Sequence, residues 1–434
     1  MSRQATANGE DPVTVIGAGI VGICCALSLI EKGAKVRLLD RDAPGQATSY
    51  GNAGVISPWS CVPQSLPGLW KNIPRWLLDP EGPIAMRPSY LLKAAPWALK
   101  FLRAGRPDRV AAISDAMAEL NRPCLDLYRH HLAGTGHEDV LRESCYVHAY
   151  RKAAEADLTG LAWRLREKHG APVEAVSGAA LREIEPDLSE DYQAAILVKD
   201  QARAASPGRL GAVLADKVRR GGGEIARAAV HRLVPQDDGG WRLTTDLGDI
   251  VSRRVVMAAG AWSTRLLEPL GVKLPLEPER GYHLEFRDPG VKLNHSVMEV
   301  GAKFVASSME GGLRSAGTAE FAGLEAPPDY RRARIFKRLT KRMLPGLNTE
   351  DAAEWMGARP SFPDSLPCIG EIPSRPGLYA AFGHSHYGMS MAPMTGRIVA
   401  DLATGTVPNL DLSPFALGRF NGLNGQGLQR SMSA

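Results

Sequence analysis

The sequence predicts an α/β unit joined to an α+β unit, and three observations predict it. The chain has 434 residues, room for two or three folding units. A β-branched run, Val13–Ile16, leads directly into Gly-x-Gly-x-x-Gly and an apolar helix, the opening of a parallel sheet with helices packed on it. Further along, helical periodicity gives way to short alternating strands after about residue 277, the order of an α+β unit. A composition of 44% hydrophobic and 23% charged residues excludes collagen, coiled coil and disorder as descriptions of the whole.

The first element carries the clearest motif. Gly17-Ala18-Gly19-Ile20-Val21-Gly22 follows the strand, a helix runs to about Lys32, and Gly33 stands where it would end. A second strand, Lys35–Leu39, ends in Asp40. Gly17 permits the tight turn, Gly19 lets backbone approach a pyrophosphate, and Gly22 lets helix and strand pack closely. The helix start offers free N–H groups and a positive dipole end to phosphates. Asp40 stands where a carboxylate accepts ribose hydroxyls and repels a 2′-phosphate, which disfavours NADP. The uncharged run Val13–Ile30 is long enough to suggest a membrane span. Its glycines, spaced as a phosphate-binding turn, argue for a dinucleotide site instead. Cys24 and Cys25 fall within the helix as small packing residues.

The next stretch, Arg41-Asp42 through Thr48-Ser49-Tyr50-Gly51-Asn52-Ala53-Gly54-Val55, is rich in small and hydroxylated residues. Three later segments share that character. They are Val255–Ser263 with Ala259-Gly260, Gly357-Ala358-Arg359-Pro360 with Pro363-Asp364, and Gly383-His384-Ser385-His386-Tyr387-Gly388-Met389-Ser390. Together and in this order, over about residues 12–405, they resemble the D-amino-acid oxidase, glycine oxidase and sarcosine oxidase superfamily, in particular its FAD-dependent D-amino-acid dehydrogenase branch. The resemblance implies a Rossmann-like, GR2-type FAD-binding domain built from 1–58, 204–276 and 356–434. It also implies a substrate-binding domain, with a mixed sheet and helices, built from 59–203 and 277–355. Within these, helices are expected over Asp108–Leu132, Ala153–His169, about Thr395–Leu402 and Asp329–Met343. Strands are expected over Glu224–Val230, Gly281–Phe286, Ala302–Ser307 and Leu313–Ala319, with a hairpin over 240–258.

The resemblance further implies the chemistry. A hydride leaves the amine-bearing carbon of a small D-amino acid, or of a cyclic imino acid of the D-proline or hydroxy-D-proline type, for flavin N5, and the cofactor does the hard chemistry. Gly17, Gly19, Ile20, Val21, Gly22, Asp40, Arg41, Thr48, Ser49, Asn52, Ala53, Gly54, Val55, Val230, Ala259, Gly260, Gly357, Gly383, His384, Gly388, Met389 and Ser390 are expected to hold FAD. Arg359 falls where relatives bind the substrate carboxylate, and a guanidinium suits that task because it offers two parallel hydrogen bonds. Tyr282 begins the strand that roofs the site in relatives, while His283 should point to the opposite face. His384 and His386, two apart, would face one way in extended chain. No third ligand is apparent, so contact with flavin or substrate is expected and no metal. Tyr50 is placed near the ring. Arg359, Tyr282 and His384 are the expected catalytic residues, and Tyr50, Arg359, Tyr282 and His386 the expected substrate contacts. Relatives with covalent flavin carry a cysteine ahead of Pro-Asp. Trp355–Arg359 contains none, so non-covalent FAD is expected. Sarcosine oxidases use a lysine near the ring for oxygen; Gly311–Gly317 offers Arg314 and no lysine, a pointer to a dehydrogenase.

The formal charge of +5 is unevenly spread. Residues 60–110 carry eight Lys or Arg against three acids, and residues 331–342 carry seven basic residues and no acid. In the first stretch Trp70, Trp76, Trp97 and Phe101 alternate with Lys71, Arg75, Lys100 and Arg103, a combination suited either to a membrane surface or to core packing beneath a solvated face. A quinone or other acceptor and a peripheral membrane contact are the expected partners, with no nucleic acid. Six cysteines without CxxC spacing suggest a reducing compartment, and a location in the cytoplasm, or there peripheral to the inner membrane, is expected. An oxygen-using glycine, sarcosine or D-amino-acid oxidase stays open as an alternative, as does a nucleotide-binding basic scaffold without catalysis.

Overall fold

A computed structural model describes residues 11–420 of the chain. Val13–Ile16 forms β1 and is wholly buried, as its β-branched residues require of a central parallel strand. Helix α1 (Ile20–Glu31) and strand β2 (Val36–Asp40) follow. The uncharged run is thus strand, turn and helix, and no helix of the described residues is long and apolar enough to cross a membrane.

The chain then leaves this layer. It passes through β3 (Val55–Ile56), α2 (Ile73–Leu78), β4 (Ile84–Met86), α3 (Leu91–Ala104), α4 (Pro107–Asn121) and α5 (Cys124–Leu132). The single helix expected over Asp108–Leu132 is two helices, divided at Pro123, which lacks the N–H a continuous helix needs. Next come β5 (Leu141–Tyr150), α6 (Leu161–Lys168), β6 (Val173–Ser177), α7 (Gly178–Ile184) and β7 (Ala194–Ala204). The helix expected from Ala153 begins only after Gly160; residues 153–155 form one tight turn.

The chain returns through α8 (Pro207–Arg220), β8 (Glu224–Arg227), β9 (Val230–Pro235), β10 (Trp241–Thr245), β11 (Gly248–Ser252) and β12 (Val255–Met257). The hairpin expected over 240–258 ends at Ser252, because Val255–Met257 pairs with β1 instead. After α9 (Ser263–Leu267), strands β13 (Glu277–Phe286), β14 (Ser296–Glu299), β15 (Phe304–Met309) and β16 (Gly312–Phe321) precede α10 (Arg331–Met343) and β17 (Ala352–Ser361). The chain closes with β18 (Cys368–Glu371), β19 (Leu378–Phe382) and α11 (Gly388–Ala403). Helix α11 starts seven residues before the expected Thr395. Pro393 sits inside it and leaves the Met389 carbonyl without its helical donor. The Tyr128 hydroxyl supplies the missing bond at 2.7 Å.

Two large sheets result. The six-stranded sheet runs β18-β19-β12-β1-β2-β8, parallel except for β18. The ten-stranded sheet runs β17-β13-β16-β15-β14-β5-β7-β3, with β4 added at β16 and β6 at β7. A third sheet, β11-β10-β9, stands apart. The expected borders near residues 58 and 355 shift: β3 pairs with β7, and β17 crosses residue 355 because Ala352–Ser361 pairs along the whole of β13. Helices α1 and α11 cross closely, since a Cβ at Gly396 would lie 2.5 Å from the Cys24 carbonyl oxygen. Cys24 and Cys25 are buried free thiols at that crossing, and burial pushes both pKa values up.

Candidate active site

A cavity of about 960 Å³ lies between the two large sheets. One wall is backbone. Gly17 turns the chain at φ +106°, and a Cβ there would meet the Ala258 carbonyl oxygen at 2.4 Å. A Cβ at Gly22 would lie 1.8 Å from the Gly17 carbonyl oxygen. At Gly19 it would touch only Ser49 Oγ, at 3.5 Å, so backbone is open to the cavity just before α1. Ile20 N–H donates to Ser49 Oγ at 3.0 Å. Asp40 accepts Ala18 N–H at 2.6 Å and Asp42 N–H at 2.9 Å. Burial raises its pKa against those bonds. Thr48 Oγ1 donates to the Ala358 carbonyl at 2.8 Å, tying this wall to β17. Asn52 Oδ1 accepts Gly54 N–H at 2.7 Å and fixes the turn before β3.

Gly19, Ile20, Val21, Thr48, Ser49, Asn52, Ala53, Val55, Gly260, Gly357, Gly383, His384, Gly388, Met389 and Ser390 all line the cavity. Gly17, Gly22, Gly54 and Ala259 lie behind that lining. Asp40 ends β2 and Arg41 follows it, both outside that lining and next to the end of β8, where the Asp40 carbonyl accepts Ala228 N–H. Val230 begins β9 and packs with the core that contains Leu233 and Trp241. A dinucleotide cradle in which Gly17 and Gly22 leave no room for a Cβ, while Gly19 leaves backbone open to the cavity, fits the group the sequence implies.

The opposite wall is made of side chains from the ten-stranded sheet. Arg359 on β17 stands beside Glu279 on β13, its partner in register. Arg359 Nη1 donates to Glu279 Oε1 at 3.1 Å and to the Thr318 carbonyl at 2.9 Å. Arg359 Nη2 has only a 3.5 Å contact to the Gly317 carbonyl, leaving donors for a ligand. A Cβ at Gly281 would lie 2.1 Å from that nitrogen, so only glycine fits there. Glu279 also accepts from His386 Nε2 and from Ser361 Oγ, the latter at 3.0 Å. Burial would raise the Glu279 pKa, but His386, Arg359 and Ser361 outweigh it and hold the carboxyl at about 2. An ionised carboxylate has no hydrogen to give. His386 Nε2 therefore carries the proton, and Nδ1 keeps its lone pair. Burial, with Arg359 adding to it, lowers the His386 pKa despite Glu279.

Three expectations need correction. Tyr282 lines the cavity, but its hydroxyl donates to Glu320 and accepts Asp329 N–H at 3.0 Å. It has no free donor to roof a substrate. Tyr50 does not line the cavity; its ring packs against Gly208, His283 and Trp355. His384 and His386 do not face one way, because Ser385 lies between them at φ +50°. His384 turns inward to Thr395 Oγ1 at 2.9 Å, and burial holds it neutral with a pKa of about 3. His283 does point away from Tyr282: it stacks on Trp355 at 4.9 Å and its Nδ1–H donates to the Gly51 carbonyl at 3.1 Å. Arg314 binds Glu285 and the Tyr50 and Asn52 carbonyls.

The structure adds residues that the sequence reading missed. Tyr146, His148 and Tyr150, at alternate positions of β5, reach the cavity together with Arg166 of α6 and Lys303 of the turn before β15. The period-two alternation of aromatic residues along β5 is the signal that would have found three of them. Lys303 is a lysine at the cavity where Gly311–Gly317 offered none. No cysteine lines the cavity among the described residues.

The sequence model of the FAD dependent oxidoreductase family matches residues 12–402. The chain is 38% identical over 415 residues to a protein of Bradyrhizobium diazoefficiens named D-amino-acid oxidase, covering 94% of this chain and 98% of that one. It is 29% identical over 418 residues to a D-amino acid dehydrogenase of the same organism, with 94% and 98% covered. Among solved structures, glycine oxidase from Geobacillus kaustophilus shares the fold with a TM-score of 0.70 at 23% identity, over 94% of this chain and 98% of that one. With a family match across nearly all of its length, this chain belongs to the FAD dependent oxidoreductases.

Proposed function

We propose that the protein oxidises the C–N bond of a small D-amino acid, or of a cyclic imino acid of the D-proline type, to the imine. The observation that carries this reading is Arg359 beside His386 on one shared carboxylate, Glu279, in a wall of the cavity. Bound FAD would supply a two-electron acceptor for the hydride leaving the amine-bearing carbon. The residues before α1, with Ser49, Thr48 and the start of α11, would hold that cofactor without a covalent link. Arg359 Nη2 takes the substrate carboxylate and fixes the orientation of the α-carbon. His386 Nδ1 accepts a proton from the substrate ammonium, so that the amine carries its lone pair when the hydride leaves. Glu279 orients both residues. After release, water converts an acyclic imine to keto acid and ammonia, whereas a cyclic imine persists.

A lipophilic acceptor at a membrane surface fits the cavity mouth. Trp70, Leu77, Leu78, Leu91, Leu92, Leu99 and Leu102 are exposed, within or beside α2 and α3. The same segment lines the cavity through Leu69, Ile73, Trp76, Leu91 and Ala98. Lys71, Arg75, Lys93, Lys100 and Arg103 accompany it, as on surfaces that meet anionic lipid. The second basic stretch contributes little: α10 buries Phe336, Leu339 and Met343, and Arg334 and Arg338 pair with Glu354 and Glu81. Oxygen as acceptor is the second reading, favoured by the relative named D-amino-acid oxidase.

The test is anaerobic bleaching of the yellow holoenzyme by a panel of D- and L-amino acids and N-methyl amines, then reoxidation by oxygen or by a soluble quinone. Bleaching by D-amino acids and faster reoxidation by quinone are expected. A flavin that stays oxidised against the whole panel would sink the reading and favour a non-catalytic scaffold. Reoxidation by oxygen at turnover speed would replace the quinone.

A further inference from the structure

Three cationic side chains line the cavity, Arg166, Lys303 and Arg359, against one carboxylate among the described residues, Glu279. Arg359 holds that carboxylate. Neither Arg166 nor Lys303 has a carboxylate within 4 Å among the described residues. Arg166 donates to the carbonyl of Ala162 in its own helix at 3.2 Å and lies over the Trp163 ring at 4.8 Å. Lys303 lies over the Trp76 ring at 5.5 Å. Glu299, the acid nearest Lys303 in sequence, bonds Arg151 and the Ala302 N–H and acts on Lys303 through its charge without pairing with it.

Two further observations mark this as a built site. His148 Nε2 is buried without a hydrogen-bond partner, on a ring that lines the same cavity between Tyr146 and Trp163. Arg166 and Lys303 line the same cavity as that ring, and burial first, then their charges, push the His148 pKa well below its usual value. Lys303 also holds φ +58°, a left-handed conformation that a lysine adopts at an energetic cost. Arg166 is half-buried with no carboxylate paired to it, and Lys303 adds a second positive charge on the same lining from an exposed position, an arrangement that favours an anionic ligand.

From this arrangement we infer that Arg166 and Lys303, beside His148, form a second anion subsite, and that the preferred substrate is an amino acid bearing a second carboxylate. The inference rests on the proposed amino-acid oxidation. Arg359 takes the α-carboxylate and the second subsite takes the other. The second carboxylate would be carried either on the side chain, as in D-glutamate, or on the nitrogen, as in N-carboxymethylglycine.

The test uses the FAD holoenzyme and its variants Arg166→Gln, Lys303→Met and Arg166→Lys. Each is accepted only when its flavin content equals that of the parent. Anaerobic flavin reduction is measured with D-glutamate, its neutral isostere D-glutamine and N-carboxymethylglycine. A second readout is the shift in flavin absorbance on titration with glutarate against butyrate, neither of which has an amine to oxidise. The expected kcat/KM ratio of diacid to D-glutamine is at least tenfold for the parent. It should fall at least tenfold in Arg166→Gln and Lys303→Met and recover in part in Arg166→Lys. Glutarate should bind at least tenfold tighter than butyrate, and less so in the first two variants. Whichever diacid is used identifies where the second carboxylate sits. Reduction by D-glutamine at or above the rate with both diacids overturns the inference and leaves the proposed function standing. Variants that keep the diacid ratio while slowing reoxidation by oxygen also overturn it. Failure of every amino acid to reduce the flavin overturns both.

Discussion

At the cavity wall before α1, the ligand-facing surface is main chain. Three glycines set its shape, and a single added carbon at Gly22 would overlap the Gly17 carbonyl. At the wall formed by β13, β16 and β17, it is side chain. Glu279, Arg359 and His386 come from positions up to 107 residues apart, and their geometry depends on strand register and on one shared carboxylate. The first wall tolerates almost no added volume and most changes of charge nearby. The second tolerates neither loss of charge nor a shift in pairing, because each member leaves a buried partner unmatched.

The sharpest way to break this contrast is at Gly22. In Gly22→Ala the new carbon meets backbone that cannot rotate away. We expect protein without bound flavin or no soluble protein, read as flavin absorbance per chain after purification. A variant that retains stoichiometric FAD would mean that the turn has room the structure does not show.

Glu279→Gln probes the other wall. It removes the buried anion between Arg359 and His386, and breaking such a pair costs about 3 kcal/mol, the lower end of the usual range because Arg359 opens on the cavity. The carboxyl is held at about 2 in the folded protein, against an ordinary value of about 4.3. Its contribution is therefore fully present above that ordinary value and is lost as pH falls toward 2. Denaturant melts should show the gap between parent and variant at neutral pH and its narrowing in acid. A gap that is independent of pH would mean that the loss comes from packing, not charge.

Arg359→Ala should have the next largest effect. A charge-assisted hydrogen bond to the substrate carboxylate is worth about 1.5–3 kcal/mol, so KM for an amino acid should rise about 10- to 100-fold. KM for the corresponding decarboxylated amine should barely change. Arg359→Lys should recover only part of the loss, because an ammonium lacks the planar fork. An equal rise for acid and amine would show that Arg359 serves the wall rather than the substrate.

The same contrast explains what was legible in the sequence. Gly17, Gly19, Gly22, Asp40 and the Thr48–Gly54 segment were readable because the chemistry there is backbone conformation, which local spacing encodes. Arg359 was readable only through resemblance. Glu279 was passed over in Glu279-Arg280-Gly281-Tyr282-His283 because nothing local marks which strand residue faces Arg359; only the β13–β17 register does. Tyr282 was overvalued for the same reason: its hydroxyl is bound by Glu320, 38 residues away. The exposed leucines of α2 and α3 were not legible as a surface, since hydrophobic periodicity records a face and not what covers it.

The smallest effect tests the geometry most finely. His386 feels Glu279 and Arg359 with opposite sign: the carboxylate raises its pKa and the guanidinium lowers it, beneath a larger lowering by burial. If His386 accepts the substrate proton, kcat/KM for flavin reduction falls on the acid side as His386 becomes protonated in the free enzyme. That limb should lie below the ordinary histidine value of about 6.5. In Glu279→Gln the raising partner is gone, so the limb moves to lower pH. In Arg359→Ala the lowering partner is gone, so it moves to higher pH. Each displacement should be under about one pH unit, since one unit is about 1.4 kcal/mol and burial, the dominant cause, is unchanged. Opposite displacements are hard to obtain from a general loosening of the site, which would expose the imidazole and move both limbs upward. A limb that moves in neither variant would therefore assign the proton transfer to another group, while a split around the parent value would place it on His386.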